Sequence, residues 1–558
     1  MANRNESGRF AQNPVVSIGR SSFNRNSSVK TTFNAGDLVP FYVDEVLPGD
    51  TFSVDTSKVV RMQTPLTPIM DNIYLDTYYF FVPNRLVWKH WPNLMFENTK
   101  SAWAPETVYS VPQVTAPSGG WSVGTIADYM GIPTGVQGLS VNAMPFRAYA
   151  LICNEWFRDE NLQDPFNISL EDATLAGSNG ANYITDCQLG GKPFVAGKLH
   201  DYFTSALPSP QKGPDVTIPL FDTNLPVVAT DDLVSPSAST ASRGMFWYAD
   251  RGISNPAHSL YALQNTTDPS DSTRRIAGMS VSDPGSVDFV NYTPANLWAN
   301  VTDTAVASIN SLRLAFQTQK FFEKLARGGS RYIESIKAMF NVTNPDYRLQ
   351  RPEYLGGNRI PITINQVVQQ SASSDSSPQG TTTGQSLTTD VHSDFTKSFT
   401  EHGYIIGVMV ARYNHTYQQG LSKMWTRKVA LDFYFPVFAN IGEQPILNQE
   451  IYAQGQEVDK EVFGYQEAWA EYRYRPSICT GEMRSTYPQS FDVWHLGDDY
   501  DSLPMLSPGW IQEDKTNIDR CLAVNSSVSN QFFADIYVKN RTTRPMPLYS
   551  IPGLIDHH

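Results

Sequence analysis

The 558-residue sequence predicts a mainly β protein, a two-sheet β-sandwich with long inserted loops and several helices. Three observations carry this. Runs of aromatic and β-branched residues recur along the whole chain, as strands require. Aromatics reach 12% and prolines number 37, a balance that favours strands and turns over long helices. Long excursions separate the runs, so the strands come with elaborate connections.

Residues 1–30 stand apart from the rest. They hold Arg4, Arg9, Arg20, Arg25 and Lys30 against one acid, Glu6, among Asn, Ser and Gly. This pattern reads as a flexible cationic arm, with an ordinary frayed terminus as the simpler alternative. Strands begin at Leu38. Residues 38–46 and 52–60 flank Leu47-Pro48-Gly49-Asp50, a turn signal. Residues 73–82 (IYLDTYYFFV) are dense enough in aromatic and β-branched side chains for a strand buried on both faces, and Pro83-Asn84 ends it. Past Met144 the pattern changes: Pro145 suits the first helical position and AYALICNEWF continues a helix.

Between 213 and 319 there is neither a Lys nor a Glu, while Asp, Ser, Asn, Thr and Pro abound. Residues 222–304 within it read as a surface insertion with short strands, too long and too aromatic (Phe246, Trp247, Tyr248, Trp298) for a plain linker. The strongest helix covers 311–327. At 100° per residue Leu314, Phe321, Phe322 and Leu325 share one side, Arg313, Lys320, Lys324 and Arg327 another, and Gly328-Gly329 supplies the stop. Residues 371–394 open with the low-complexity run SASSDSSPQGTTTGQSLTT and read as a mobile loop. Further strands are expected at 404–413, 429–437, 491–496 and 532–538. In the last, Phe532, Ala534, Ile536 and Val538 fall on one face.

Charged residues make up only 17%, below the roughly 25% typical of soluble domains. That favours a surface partly buried in an assembly, although one large core has the same effect. A net charge of −13 leaves phosphate contacts to local basic segments. Cys153, Cys187, Cys479 and Cys521 lie far apart without CxxC, so reduced structural thiols are expected. Residues 1–30 lack the apolar stretch of a signal peptide, and the longest apolar run, 404–410, is too short to span a bilayer.

No catalytic pattern survives inspection. The nine histidines are scattered without HxxxH or HExxH, and His557-His558 reads as a polar tail. Phosphate-loop, dinucleotide and serine-hydrolase signatures are missing, and Gly356-Gly357 read as turn or cap glycines. The strongest enzymatic candidate is Asp498, Asp499 and Asp501 beside Trp494 and Tyr500, as in a glycosidase cleft or a weak cation site. Glu467 and Glu471 would lie one turn apart if 465–474 were helical. Acidic turns and solvated helix faces are the commoner origin of both. Neither a cofactor nor a metal is expected.

The stretches LVPFYVDEVLPGDTF (38–52), MDNIYLDTYYFFVPNRLVW (70–88), RAYALICNEWFRDENLQ (147–163), DYFTSALPSPQKGP (201–214), FQTQKFFEKLARGGSRYIE (316–334), PDYRLQRPEYLGG (345–357), FTEHGYIIGVMVARY (399–413) and WAEYRYRPS (469–477) together resemble the major capsid proteins of the Microviridae, gokushovirus group. The blocks run in the family's order from about 38 to 540, broken only at 222–304 and 371–394.

The resemblance implies an eight-stranded viral jelly roll split into 31–221 and 305–558. It further implies a T=1 icosahedral shell of sixty copies around circular single-stranded DNA, with internal scaffolding and DNA pilot proteins as partners. It places the protein in the virion after synthesis in the bacterial host cytoplasm. The 222–304 insertion would form a threefold protrusion that meets a host-cell receptor. On this reading Arg4, Arg9, Arg20, Arg25, Lys30, Lys539, Arg541 and Arg544 are candidates for contact with the genome, or the arm only knits neighbouring subunits. Arg313, Lys320, Lys324 and Arg327 are candidates for subunit or DNA contact. Trp247, Tyr248 and Trp298 form either the insertion's small core or a sugar-stacking surface for host attachment. The rival class is a phage β-sandwich protein that binds or cleaves carbohydrate.

Overall fold

Apolar residues at every second position build two facing sheets. The computed structural model describes residues 19–95, 97, 109–214, 216, 350–375 and 378–549, the helix Ile309–Gly328, residues 334, 337–339 and 341, and five short strands between 227 and 299. Eight strands carry the sandwich: β1 Ser27–Phe33, β2 Val39–Val46, β3 Thr51–Met62, β4 Ile73–Pro83, β5 Glu353–Pro361, β6 Thr388–Ser398, β7 Gly403–Tyr413 and β8 Phe532–Arg544. One sheet has the order β1-β8-β3-β6 and the other β5-β4-β7-β2, every pair antiparallel. The pairing is nested, first with last (β1 with β8, β2 with β7, β3 with β6, β4 with β5). This is the wrapping of an eight-stranded jelly roll.

In β3 the inward row is Phe52, Val54, Thr56, Lys58, Val60 and Met62, and in β8 it is Phe532, Ala534, Ile536, Val538, Asn540 and Thr542. These rows meet Ile73, Leu75, Tyr79, Ile405 and Met409 of the opposite sheet in the main core. Each fully buried aliphatic or aromatic side chain there contributes about 1.5–3 kcal/mol. Strands β4 and β7 are buried on both faces, because a second core covers their outer side. That core packs Trp88, Trp121, Phe146 and Tyr149 against Phe80, Ile406 and Val408. Its helix, α1 Met144–Ile152, starts with Pro145 in its first turn and runs into a π-helical turn, Cys153–Phe157. All four cysteines are buried free thiols.

The chain divides into two compact units, Met1–Pro210 with Leu325–His558, and Gln211–Lys324. Among the described residues of the second, Phe246–Ala249 pairs with Ser259–Ala262 and Tyr292–Pro294, and Leu297–Ala299 pairs with Val227–Ala229. The rest of 222–304 lies outside the described residues.

Four local expectations are corrected. Residues 429–437 are not a strand but two 3-10 turns, Ala430–Asp432 and Pro436–Phe438, since Pro436 cannot serve a ladder. Residues 491–496 hold the 3-10 turn Asp492–Trp494, with the Asp492 amide bonded to the Ser490 hydroxyl. The run 371–394 is a loop only in its first part. Thr382–Ser386 forms a hairpin with Ile364–Val368, and 388–394 belongs to β6, because alternating Thr and Ser side chains suit a pleated surface as well as a loop. Gly356 and Gly357 sit at a bulge in β5, where a Cβ on either would collide with the backbone of Asp394 or Thr77.

Candidate assembly surface and basic face

Residues 421–441 lie between β7 and a hairpin of Glu443–Leu447 with Val462–Glu467, and turn their apolar side chains outward. The frame beneath them is fixed. Arg427 donates a 2.8 Å bond to Glu471, with both side chains nearly buried, and its guanidinium lies 4.3 Å from the Tyr472 ring. Trp469 holds a positive φ of 63° and donates its indole N–H to the Phe438 carbonyl at 2.9 Å. Above this frame Met424, Trp425, Val429, Leu431, Phe433, Phe435, Val437 and Ile441 are exposed, Trp425 at 70% and Val437 at 87%. Tyr472 and Tyr474 extend the shelf. Large apolar side chains exposed together in one short segment are uncommon on soluble monomers, and apolar patches of this kind mark interaction sites. Its make-up of aromatics, Met and a fixed Arg is that of an interface core.

A second feature is the open face of the β1-β8-β3-β6 sheet. Alternation turns Lys30, Arg61, Lys539 and Arg541 outward, against Asp55 and Asp535. Cations therefore exceed acids there on an acidic chain. Tyr537 and Phe533 share the face, 43% and 39% exposed.

The sequence-derived basic candidates fall into distinct groups. Arg4 and Arg9 lie outside the described residues. The arm expected over 1–30 is not free at its end, since Ser21–Asn24 pairs with β8 beside β1. Alternation of Val29, Thr31 and Phe33 is the signal that marks this strand. Arg25 donates two bonds to Asp44, at 2.6 and 2.7 Å. Burial opposes its charge, but Asp44 outweighs burial and holds the guanidinium pKa up. Arg544 bonds Asp50 at 3.0 Å and the Glu45 carbonyl at 2.6 Å. Arg20 donates to Gly49 O and Thr51 Oγ1. Lys30 and Lys539 make only long, exposed pairs with Asp535 (3.6 Å) and Asp55 (3.7 Å), and Arg541 donates to Ser22. On helix α2, Ile309–Gly328, Arg313, Lys320 and Lys324 are exposed, while Arg327 pairs with Glu443. Trp247 and Tyr248 stand on one short strand and Trp298 on another.

Of the carboxylates weighed for catalysis, Asp498 serves the interior, while Asp499 and Asp501 are exposed. Asp498 is buried and accepts from His415 Nδ1 (2.9 Å), Asn517 (2.7 Å) and Tyr500 OH (2.8 Å). Burial alone would raise its pKa, but His415 and Lys198 outweigh burial and hold it at about 2. Asp499 accepts from Gln419. Glu467 and Glu471 are not on one helix face, because the left-handed Trp469 separates them. Glu467 pairs with Arg473 and Glu471 with Arg427. Among the described residues, no group of three His, Cys, Asp or Glu is placed to hold a metal, and no helix is long and apolar enough to cross a membrane.

Known proteins resemble this chain over nearly its whole length. A family model described as "Capsid protein (F protein)" matches residues 11–554. Capsid protein VP1 of Chlamydia phage 1 is 41% identical, over 98% of this chain and 97% of that protein. The VP1 proteins of Spiroplasma virus 4 (40%, over 94% and 93%) and Bdellovibrio phage phiMH2K (41%, over 99% and 99%) are similarly close.

Proposed function

The chain belongs to the capsid protein (F protein) family, as a major capsid protein of the Microviridae type, and from that premise we propose that sixty copies close a T=1 shell around a circular single-stranded DNA genome. The observation that carries the assembly reading is the exposed apolar shelf at 421–441, on a subunit whose sandwich core is otherwise sealed. A shell subunit works by presenting complementary surfaces. The loops that carry them are fixed by proline and internal pairing, so little ordering entropy is lost on assembly. Its role is structural, without catalysis.

Phosphate contact is assigned to Lys30, Lys539, Arg541 and Arg20, with Arg4 and Arg9 ahead of them in the chain. Arg25 and Arg544 are held by Asp44 and Asp50 and act as braces instead. Exposed Tyr537 and Phe533 on the same face offer stacking surfaces to unpaired bases. Arg313, Lys320 and Lys324 are assigned to subunit or genome contact. The 222–304 insertion, with Trp247, Tyr248 and Trp298, is assigned to host-receptor attachment. Internal scaffolding and DNA pilot proteins complete the expected partners, in a virion assembled in the bacterial host.

Negative-stain microscopy of particles formed with the phage's own scaffolding protein tests the shell. Closed particles of one small size are expected, and open sheets or larger shells would overturn the sixty-copy reading. Exchanging 222–304 for another phage's segment is expected to redirect host range with assembly intact. Loss of particles would place the segment in the shell instead.

A further inference from the structure

Two cross-strand pairs face each other across the sandwich near its β5/β6 edge. In one sheet Lys58 of β3 stands directly opposite Asp390 of β6, and in the other Asn358 of β5 stands directly opposite Thr77 of β4. Lys58 occupies the inward row of β3, where its neighbours are Val54, Thr56, Val60 and Met62, and its side chain is wholly buried. Its amine lies 3.2 Å from Asp390 Oδ2 and 3.1 Å from Thr77 Oγ1, and is hydrogen-bonded to Asn358 Oδ1. The Thr77 hydroxyl donates to that same Asn358 oxygen at 2.9 Å. Asn358 Nδ2 donates at 2.8 Å to Asp390 Oδ2, the very oxygen that touches the lysine.

From this arrangement we infer that Lys58 and Asn358 join in an autocatalytic intramolecular isopeptide bond, with Asp390 as the proton-transferring catalytic residue. The four groups supply what the reaction needs: a buried amine, a carboxamide held against it, a carboxylate touching both nitrogens, and a hydroxyl on the carbonyl oxygen. Lys58 Nζ attacks Asn358 Cγ. The Thr77 hydroxyl stabilises the negative charge that develops on Oδ1. Asp390 takes a proton from Nζ and passes it to Nδ2, so the old C–N bond breaks and ammonia leaves. One amide replaces another, with no oxidant or reductant. Holding amine and amide in contact removes the entropic cost of bringing them together. Burial also lowers the lysine pKa against the pull of Asp390, which favours the neutral, nucleophilic amine.

The bond would tie one sheet to the other across 300 residues of sequence. In a subunit whose cysteines are all free, it is a covalent closure of the sandwich that needs no oxidising environment.

Mass spectrometry of the full chain, taken from assembled particles, decides the matter. The expected result is a mass lower than the sequence mass by one ammonia, and on digestion a branched peptide joining the segments that contain Lys58 and Asn358. Lys58→Arg and Asp390→Asn should restore the ammonia and yield only linear peptides. Recovery of Lys58 and Asn358 in separate, unlinked peptides from the folded wild-type chain would overturn the inference, whatever the variants do.

Discussion

His415 Nε2 lies 2.9 Å from Glu513 Oε1, and its other ring nitrogen lies 2.9 Å from Asp498, with all three side chains buried. Burial would push the imidazole pKa down, but the two carboxylates outweigh burial and hold it up at about 9. The charged ring therefore braces the end of β7 against the segments that carry Asp498 and Glu513.

A histidine held above its free value adds stability while it is protonated. The contribution is complete below about pH 6.5 and disappears as pH rises through about 9. Asp498, held at about 2, contributes in the opposite sense, lost only as pH falls from about 4 toward 2. Thermal melting of the subunit should decline across the alkaline window by an amount equivalent to about 3 kcal/mol. His415→Gln should lower stability at pH 6 and flatten that alkaline limb. An unchanged limb in the variant would show that another group titrates there.

Asp76 of β4 is buried and receives both Arg359, donating from β5 at 2.9 Å, and Arg412 of β7. Burial opposes its charge, yet the two guanidinium groups outweigh burial and keep the pKa low. Removing the carboxylate would leave Arg412, whose side chain is only 13% exposed, without its counter-charge and with only the Tyr78 hydroxyl and the Gly197 carbonyl to accept from it. Asp76→Ala should cost about 3–5 kcal/mol in urea unfolding. A loss below about 1 kcal/mol would mean that water reaches Arg412 freely once the carboxylate is gone.

Much of this architecture is legible in the sequence where one strand face is apolar and the other polar. The inward row of β8 and the doubly buried β4 were readable because period-2 alternation and an unbroken aromatic run are local signals. The shelf at 421–441 was not, since an apolar run looks the same whether it turns inward or outward, and only Pro436 spoke against a strand. The His415 site was hidden for another reason. Its carboxylates lie 83 and 98 residues away, so no spacing rule joins them. The isopeptide candidates are likewise brought together only by strand register, which a single sequence does not display.

The shelf predicts a separation of folding from assembly. Val437 is 87% exposed and Trp425 70%, so Val437→Asp and Trp425→Ser should change subunit stability by no more than about 0.5 kcal/mol. Particle yield in the presence of scaffolding protein should nonetheless collapse, because a charge or a lost aromatic in a desolvated interface core costs about 2 kcal/mol or more at every copy. Sedimentation of the variants would show folded subunits that do not enter particles. Normal yield from both would remove the shelf from the list of subunit interfaces.

The open face of the β1-β8-β3-β6 sheet predicts a measurable electrostatic contact with the genome. Lys30 and Lys539 have side chains 75% and 67% exposed, so their pairs with Asp535 and Asp55 are screened and add little to stability. Replacing Lys30, Lys539 and Arg541 together by Ser should leave the melting temperature nearly unchanged. If each contacts a phosphate, the slope of log affinity for single-stranded DNA against log salt should shrink by about 0.7 per residue, roughly 2 in all. Affinity should fall uniformly over homopolymer sequences, since phosphate contacts carry no base information. A slope that stays the same would assign genome contact elsewhere, to Arg4 and Arg9 or to the basic row of α2, and leave this face to neighbouring subunits.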